Sequence, residues 1–214
     1  MDYAKLVAEA LLQKGAFKIS LSPLFTWASG IKSPVYCDLR ALISDVSVRE
    51  SVVEAFKAMK SDWSQVDCIA GTATAGIPWA AWLAEAVKKP MVYVRGEAKD
   101  HGTKRRIEGA LTAGARVVLI EDHVSTGGSS VSAVTALRVE GGAVCDEILA
   151  INSYQLAKAD AQFAEAKVKV TTITDYPTIL TVAREKGTIT EENEALLSDF
   201  RADPAVWAEK HGLN

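Results

Sequence analysis

The segment Val117-Val118-Leu119-Ile120-Glu121-Asp122-His123-Val124-Ser125-Thr126-Gly127-Gly128-Ser129 decides the fold. Four apolar residues in a row do not suit a strand with one wet face; they match a strand buried on both faces of a parallel sheet. Two carboxylates then stand at the strand's lip, and small hydroxylated and glycine residues open a helix expected near Val131–Glu140, stopped by Gly141-Gly142. Working outward, the unit recurs. Cys68-Ile69-Ala70 enters a second glycine loop, Gly71 to Pro78, and Trp79 to Val87 reads as helix. Met91–Val94 and Ile148–Ile151 read as further strands, with Val168–Ile173 a late one. This alternation predicts a doubly wound α/β fold, with a mostly parallel sheet and helices on both faces. Ligands of such sheets lie beyond the carboxyl ends of the strands, where both glycine loops fall.

The flanks add less. Leu6, Val7, Ala10 and Leu11 recur at helical spacing within Met1–Lys18, Ser20–Arg40 is irregular, and a helix is expected over Val46–Met59. The tail from Thr188 to Asn214 reads as helical, with Thr188 and Glu191 spaced as a capping box. One domain over residues 1–214 is expected, with residues 1–40 forming an N-terminal helix and a hood. The 214 residues, 49% hydrophobic and 24% charged, suffice for one substantial core. A net charge of −3 gives no global basic field for nucleic acid or an anionic membrane, so an anion site has to be local. Cys37, Cys68 and Cys145 lack paired spacing and read as reduced thiols of a cytoplasmic protein. The uncharged run Cys68–Ala84 is broken by Gly71, Gly76 and Pro78 and does not suit a membrane span.

The chemistry lies in the quoted segment. Gly127 and Gly128 let backbone N–H groups approach a ligand, Ser125, Thr126 and Ser129 add hydroxyls, and the helix behind presents its positive end. Together they suit a phosphate. No Gly-Lys-Ser/Thr closes the loop, so it is not a Walker loop, nor is it Gly-x-Gly-x-x-Gly. The acidic pair Glu121-Asp122 would repel phosphate unless it serves another part of the ligand, such as sugar hydroxyls or a cation. In these residues the segment resembles the phosphoribosyl pyrophosphate (PRPP) signature of type I phosphoribosyltransferases. The resemblance implies that Glu121 and Asp122 hold the ribose hydroxyls, that residues from His123 and Val124 through Ser125, Thr126, Gly127, Gly128 and Ser129 line PRPP, and that the turn holds the 5′-phosphate. The loop Gly71–Pro78 is by itself as compatible with a structural turn as with a ligand site; in the family its equivalent lines the pyrophosphate side.

A basic stretch, Arg95 to Gly109, carries six Lys, Arg or His residues in an acidic chain. Alone it reads as a solvated hairpin. Beside a pyrophosphate site it reads as a lid, since cations over the leaving group stabilise the charge that develops there and closure excludes water. Arg95, Lys99, His101 and Gly102 resemble the lid of orotate phosphoribosyltransferases, in which an arginine is followed by Lys-x-His-Gly. Some members carry a lysine directly after the arginine; here Gly96 and Glu97 follow, with Lys104, Arg105 and Arg106 as partial replacements. The resemblance implies a homodimer whose lid reaches the partner's site, and catalytic roles for Lys99, His101 and Asp122.

Phe25 to Arg40 resembles the family's orotate-side segment through its Ser-Gly, Ser-Pro and Tyr-x-Asp-x-Arg pattern. Phe25, Ser125 and Arg40 are the candidates for orotate, the last for its carboxylate. Trp27, Lys32 and Tyr36 are as compatible with packing as with ligand contact, and Ala28 stands where one branch of the family has lysine. The resemblance spans Phe17 to Ile151 and implies transfer of the phosphoribosyl group of PRPP to N1 of orotate, with Mg²⁺ as cofactor and no dedicated metal-ligand residues. A transferase for another base, or a regulator that binds PRPP, would share the turn; neither would be expected to carry both the hood and the Lys-x-His-Gly lid.

Overall fold

The computed structural model describes residues 1–27, 29–96 and 105–213. Helix α1 (Tyr3–Gln13) starts under Asp2, whose carboxylate accepts the Lys5 N–H at 3.1 Å, and buries Val7, Ala8 and Leu11. It ends short of the Lys18 expected from periodicity, because Phe17–Ile19 is claimed by a strand. That strand, β1 (Phe17–Ile19), pairs with β4 (Val35–Cys37), and between them β2 (Phe25–Thr26) pairs with β3 (Lys32–Ser33). These two short antiparallel ladders and a 3-10 turn over Leu39–Leu42 form the hood. Helix α2 (Val46–Ala58) follows under a cap from Asp45.

The central sheet is built from β5 (Cys68–Thr72), β6 (Met91–Val94), β7 (Ile107–Glu108), β8 (Arg116–Val124), β9 (Val144–Ser153) and β10 (Lys169–Thr172). Its order is β10-β9-β8-β5-β6-β7, all parallel except β7 at the edge. Helices α3 (Gly76–Val87), α4 (Gly128–Val139), α5 (Ala157–Glu165) and α6 (Tyr176–Glu185) connect or follow the strands. Two cores result. Val118 and Ile120 pack with Phe17, Phe56, Trp79 and Tyr176 on one face, whereas Val117 and Leu119 pack with Leu137, Ile148 and Phe163 on the other. Each such side chain contributes about 1.5–3 kcal/mol on leaving water, which is why the uninterrupted apolar run of β8 locates the middle of the sheet.

Two parts of the C-terminal third depart from expectation. Helices α5 and α6 went unanticipated; α5 has no side-chain cap, whereas Asp175 caps α6 by accepting the Thr178 N–H at 2.9 Å and Pro177 sits in its first turn. Helix α7 (Glu191–Asp199) is capped by Thr190, not Thr188: the Thr190 hydroxyl accepts the Asn193 N–H at 3.2 Å. The chain ends through α8 (Trp207–Lys210). No helix is long and apolar enough to cross a membrane among the described residues, and the three cysteines are free.

Candidate active site

The carboxyl ends of β5 and β8 are adjacent, since the two strands pair directly, and each gives way to a glycine loop and a helix. Helix α4 begins after Gly127, which adopts φ +85°, and no side chain caps its first turn. Its open N–H groups and positive end therefore face outward, where Gly128 and Ser129 are exposed. A methyl group on Gly127 would meet the Phe163 ring at 2.9 Å, so the turn requires glycine for shape as well as for φ. Helix α3 is likewise without a side-chain cap behind Ala75. The cavity beside it, about 440 Å³, is lined by Ala73, Thr74, Ile77, Tyr93, Arg95 and Gly96. This places the second glycine loop and the first residue of the basic stretch around one cavity, on the β5 side of β8, while the turn Ser125–Ser129 continues β8 itself.

Between them stand the carboxylates. Asp122 is half-buried at the strand end, and the hood approaches it: Asp38 and Arg40 both act on or through its charge. Burial raises the Asp122 carboxyl. Glu121 lies one residue deeper, on the α4 side, 4% exposed. Burial and then the charge of Asp122 push it up to about 8, against a hydroxyl hydrogen bond from Ser130. Of the pair, Asp122 has the more accessible carboxylate.

The remaining expected residues divide. Ser125 and Thr126 are half-buried in the turn, consistent in place with a ligand role. Val124 is 1% exposed and belongs to the α4–α5 core, so only its backbone could meet a ligand. The His123 ring turns inward: it meets Tyr154 edge-on at 4.2 Å, and its Nδ1 lies 3.2 Å from the Asn152 amide nitrogen. Burial pushes it down to about 3, so it is neutral and carries its proton on the partnerless Nε2 when Nδ1 accepts from Asn152. The strand continues to Val124 and packs both side chains inward, so the backbone at His123 and Val124 is what these residues present at the strand end.

In the hood, Phe25 is half-buried and packs on the exposed Tyr36 at 5.8 Å. Arg40 is exposed, and Asp38 already engages its Nε and Nη2 at 2.7 Å each. A carboxylate ligand would have to share it. Trp27 is a packing residue, stacked on Tyr154 at 5.3 Å and donating its indole N–H to the Val35 carbonyl. Lys99, His101, Gly102, Glu97, Lys104 and Ala28 lie outside the described residues. Arg95 pairs with Glu108 at 3.8 Å. Arg106 is a brace and not a spare lid cation: it donates to the Arg95 carbonyl and to Ser132 on α4.

Sequence reasoning missed the C-terminal contribution. A cavity of about 270 Å³ opens among Trp27, Ile31, Thr126, Lys158, Arg201 and Pro204, so the tail reaches the back of the phosphate turn. Arg201 is held there by Gln155, which also donates to Asp175. No local motif marks these residues; the packing of Phe200 against Trp27 and the Arg201–Gln155 hydrogen bond bring them close.

A mostly parallel sheet with an acidic pair at the end of β8, an uncapped glycine turn after it and a second glycine loop beside it suits a ligand that joins a sugar to phosphate, and comparison agrees. Residues 49–178 match the family model described as the phosphoribosyl transferase domain. The orotate phosphoribosyltransferase of Listeria innocua is 45% identical over 208 residues, 97% of this chain and 99% of that one. That of Enterococcus faecalis is 44% identical over 205 residues, 95% and 97% of the two chains. Among solved structures, an orotate phosphoribosyltransferase from Aeropyrum pernix superposes with a TM-score of 0.73 at 29% identity, over 86% of this chain and 99% of that one. The chain belongs to the orotate phosphoribosyltransferase family. The likeness runs over nearly the whole chain, beyond the Phe17–Ile151 that the motifs cover, and relatives of this similarity favour neither a regulator nor a transferase for another base.

Proposed function

We propose that this protein joins N1 of orotate to C1 of the ribose of PRPP, with cleavage of the C1–O bond to pyrophosphate, giving orotidine 5′-monophosphate for pyrimidine synthesis. Orotate brings its own nucleophilic nitrogen, so the protein has to orient two ligands and stabilise charge; no covalent intermediate with the chain is needed. The observation that carries this reading is the half-buried Asp122 set between an uncapped helix start and a second glycine loop.

Asp122, with Glu121 beneath it, takes the ribose hydroxyls as acceptor. The turn from Ser125 to Ser129 takes the 5′-phosphate through its backbone N–H groups. Arg95, Lys99 and His101 meet the departing pyrophosphate, and Ser125, Phe25 and Arg40 face orotate. Among the described residues no three His, Cys, Asp or Glu side chains cluster as a ligand set. A Mg²⁺ ion would be held mostly by substrate and water, with Glu121 and Asp122 the carboxylates beside the ribose. When bound it supplies neutralisation of the pyrophosphate charge.

We also infer a cytoplasmic homodimer in which each lid serves the partner's site. Its support is the lid resemblance together with the outer face of α2 and α3, where Val46, Val53 and Trp82 border a groove. The test is the ultraviolet absorbance of orotate in a mixture of the protein, orotate, PRPP and Mg²⁺. PRPP-dependent loss of the orotate signal with matching pyrophosphate release is expected, and none with uracil in its place. Saturable PRPP binding with no turnover of orotate would overturn the reading.

A further inference from the structure

Ser129 and Ser130 are neighbours with opposite fates. Ser129 is exposed on the phosphate turn, whereas Ser130, one helical position on, is 1% exposed and turned under the sheet end. Its hydroxyl donates to Glu121 Oε2 at 2.8 Å, and Glu121 Oε1 accepts the Asp122 N–H at 3.3 Å. On the far side Thr72, the last residue of β5, turns a buried hydroxyl toward the same carboxyl, close enough to favour its charged form. The start of α3 closes the space: a methyl group on Gly76 would lie 3.6 Å from the Glu121 Cα. Glu121 is thus the point where the strand, the phosphate turn and the pyrophosphate-side loop meet.

We propose that Ser130 is a positioning residue, whose hydroxyl fixes the Glu121 carboxyl and so couples the 5′-phosphate turn to the ribose-facing acidic pair. This rests on the assignment of that pair to the ribose. A glutamate side chain has three rotatable bonds, and a carboxyl that wanders within its buried space cannot hold Asp122 and the turn in one geometry. The Ser130 donor on Oε2 restricts that freedom, beside the contact that the Asp122 carboxyl makes with the same group. The same hydrogen bond favours the charged carboxylate, opposing burial. The charged neighbours are few. Asp122 stands on the same strand, Asp38 and Arg40 reach it from the hood, and α4 and β5 present only the hydroxyls of Ser130 and Thr72 to Glu121 among the described residues. Loss of the Ser130 hydroxyl therefore both frees the carboxyl and raises its affinity for a proton.

The experiment uses the full-length enzyme with S130A, E121Q and D122N, measuring kcat and KM for PRPP and for orotate from about pH 6 to 10. For S130A the PRPP KM rises roughly five- to tenfold, the scale of one lost hydrogen bond, while the orotate KM stays within about twofold. The ionisation seen in kcat/KM for PRPP moves to higher pH in S130A and vanishes in E121Q. A wild-type PRPP KM and an unmoved ionisation in S130A overturn the proposal, as does a parallel loss of both KM values with the melting temperature, which marks a packing role. If D122N binds PRPP as the wild type does, the ribose assignment itself fails, independently of Ser130.

Discussion

The two glycine loops leave paired strands side by side, yet they use glycine for different ends. In the β8–α4 turn, Gly127 is needed for its backbone: φ is +85° and the Phe163 ring lies where a methyl group would go. In the β5–α3 loop, Gly76 has ordinary φ and is needed for proximity, since a methyl group there would meet the Ile120 carbonyl oxygen at 2.7 Å. The first loop shapes a ligand surface, and the second lets a helix start press against the strand that carries the acidic pair. Their helices lack side-chain caps, as α5 and α8 do, whereas α1, α2, α6 and α7 are capped by Asp2, Asp45, Asp175 and Thr190. What sets α3 and α4 apart is their place, since both begin beyond the carboxyl ends of the paired strands β5 and β8.

The largest expected effect is at the proposed lid over pyrophosphate. Lys99→Ala is expected to lower kcat by roughly 10²- to 10³-fold, as for loss of one preorganised charge-stabilising donor, with little change in melting temperature; steady-state rates beside a thermal melt check both. Next come the glycines. Gly76→Ala should destabilise the fold by about 1–3 kcal/mol through overpacking against backbone that cannot yield, and should weaken PRPP at the same time. Gly127→Ala should weaken PRPP more than its stability loss predicts, because it reshapes the turn. Denaturant midpoints set against PRPP affinity separate the two cases.

A smaller effect is linked to pH. Glu121 is raised in the folded state to about 8, so the native protein holds a proton that the unfolded chain has released. That contribution is complete below the ordinary glutamate value and is lost as pH rises through about 8. The melting temperature should fall over this range in the wild type and fall less in E121Q. The smallest expected change is at a capped helix away from the site: Thr190→Ala should lower stability by about 1 kcal/mol and leave turnover unaltered.

Much of this was legible in the sequence for physical reasons. A strand buried on both faces has to be continuously apolar, so Val117–Ile120 and its carboxylates located the site and the sheet together. Helix α2 was bounded within a residue because Asp45 marks its start. Tertiary pairing was not legible: Phe17–Ile19 continues a helical pattern yet is taken by β4. Nor did the motif separate side chains from backbone: the inward packing of the His123 and Val124 side chains is set by Tyr154 and the α4–α5 core. Nothing in Ala73-Thr74 announces the cis peptide between them. Arg201, Lys158 and Ser130 carry no signature, because each acquires its place from elements far away in sequence or from the facing of one helical turn.

The most direct test of the account is calorimetric titration of PRPP with Mg²⁺ into the wild type and D122N. The account predicts saturable binding to the wild type and at least roughly tenfold weaker binding to D122N, the worth of about 1.4 kcal/mol, with the fold intact. Equal affinity of the two proteins for PRPP would contradict it.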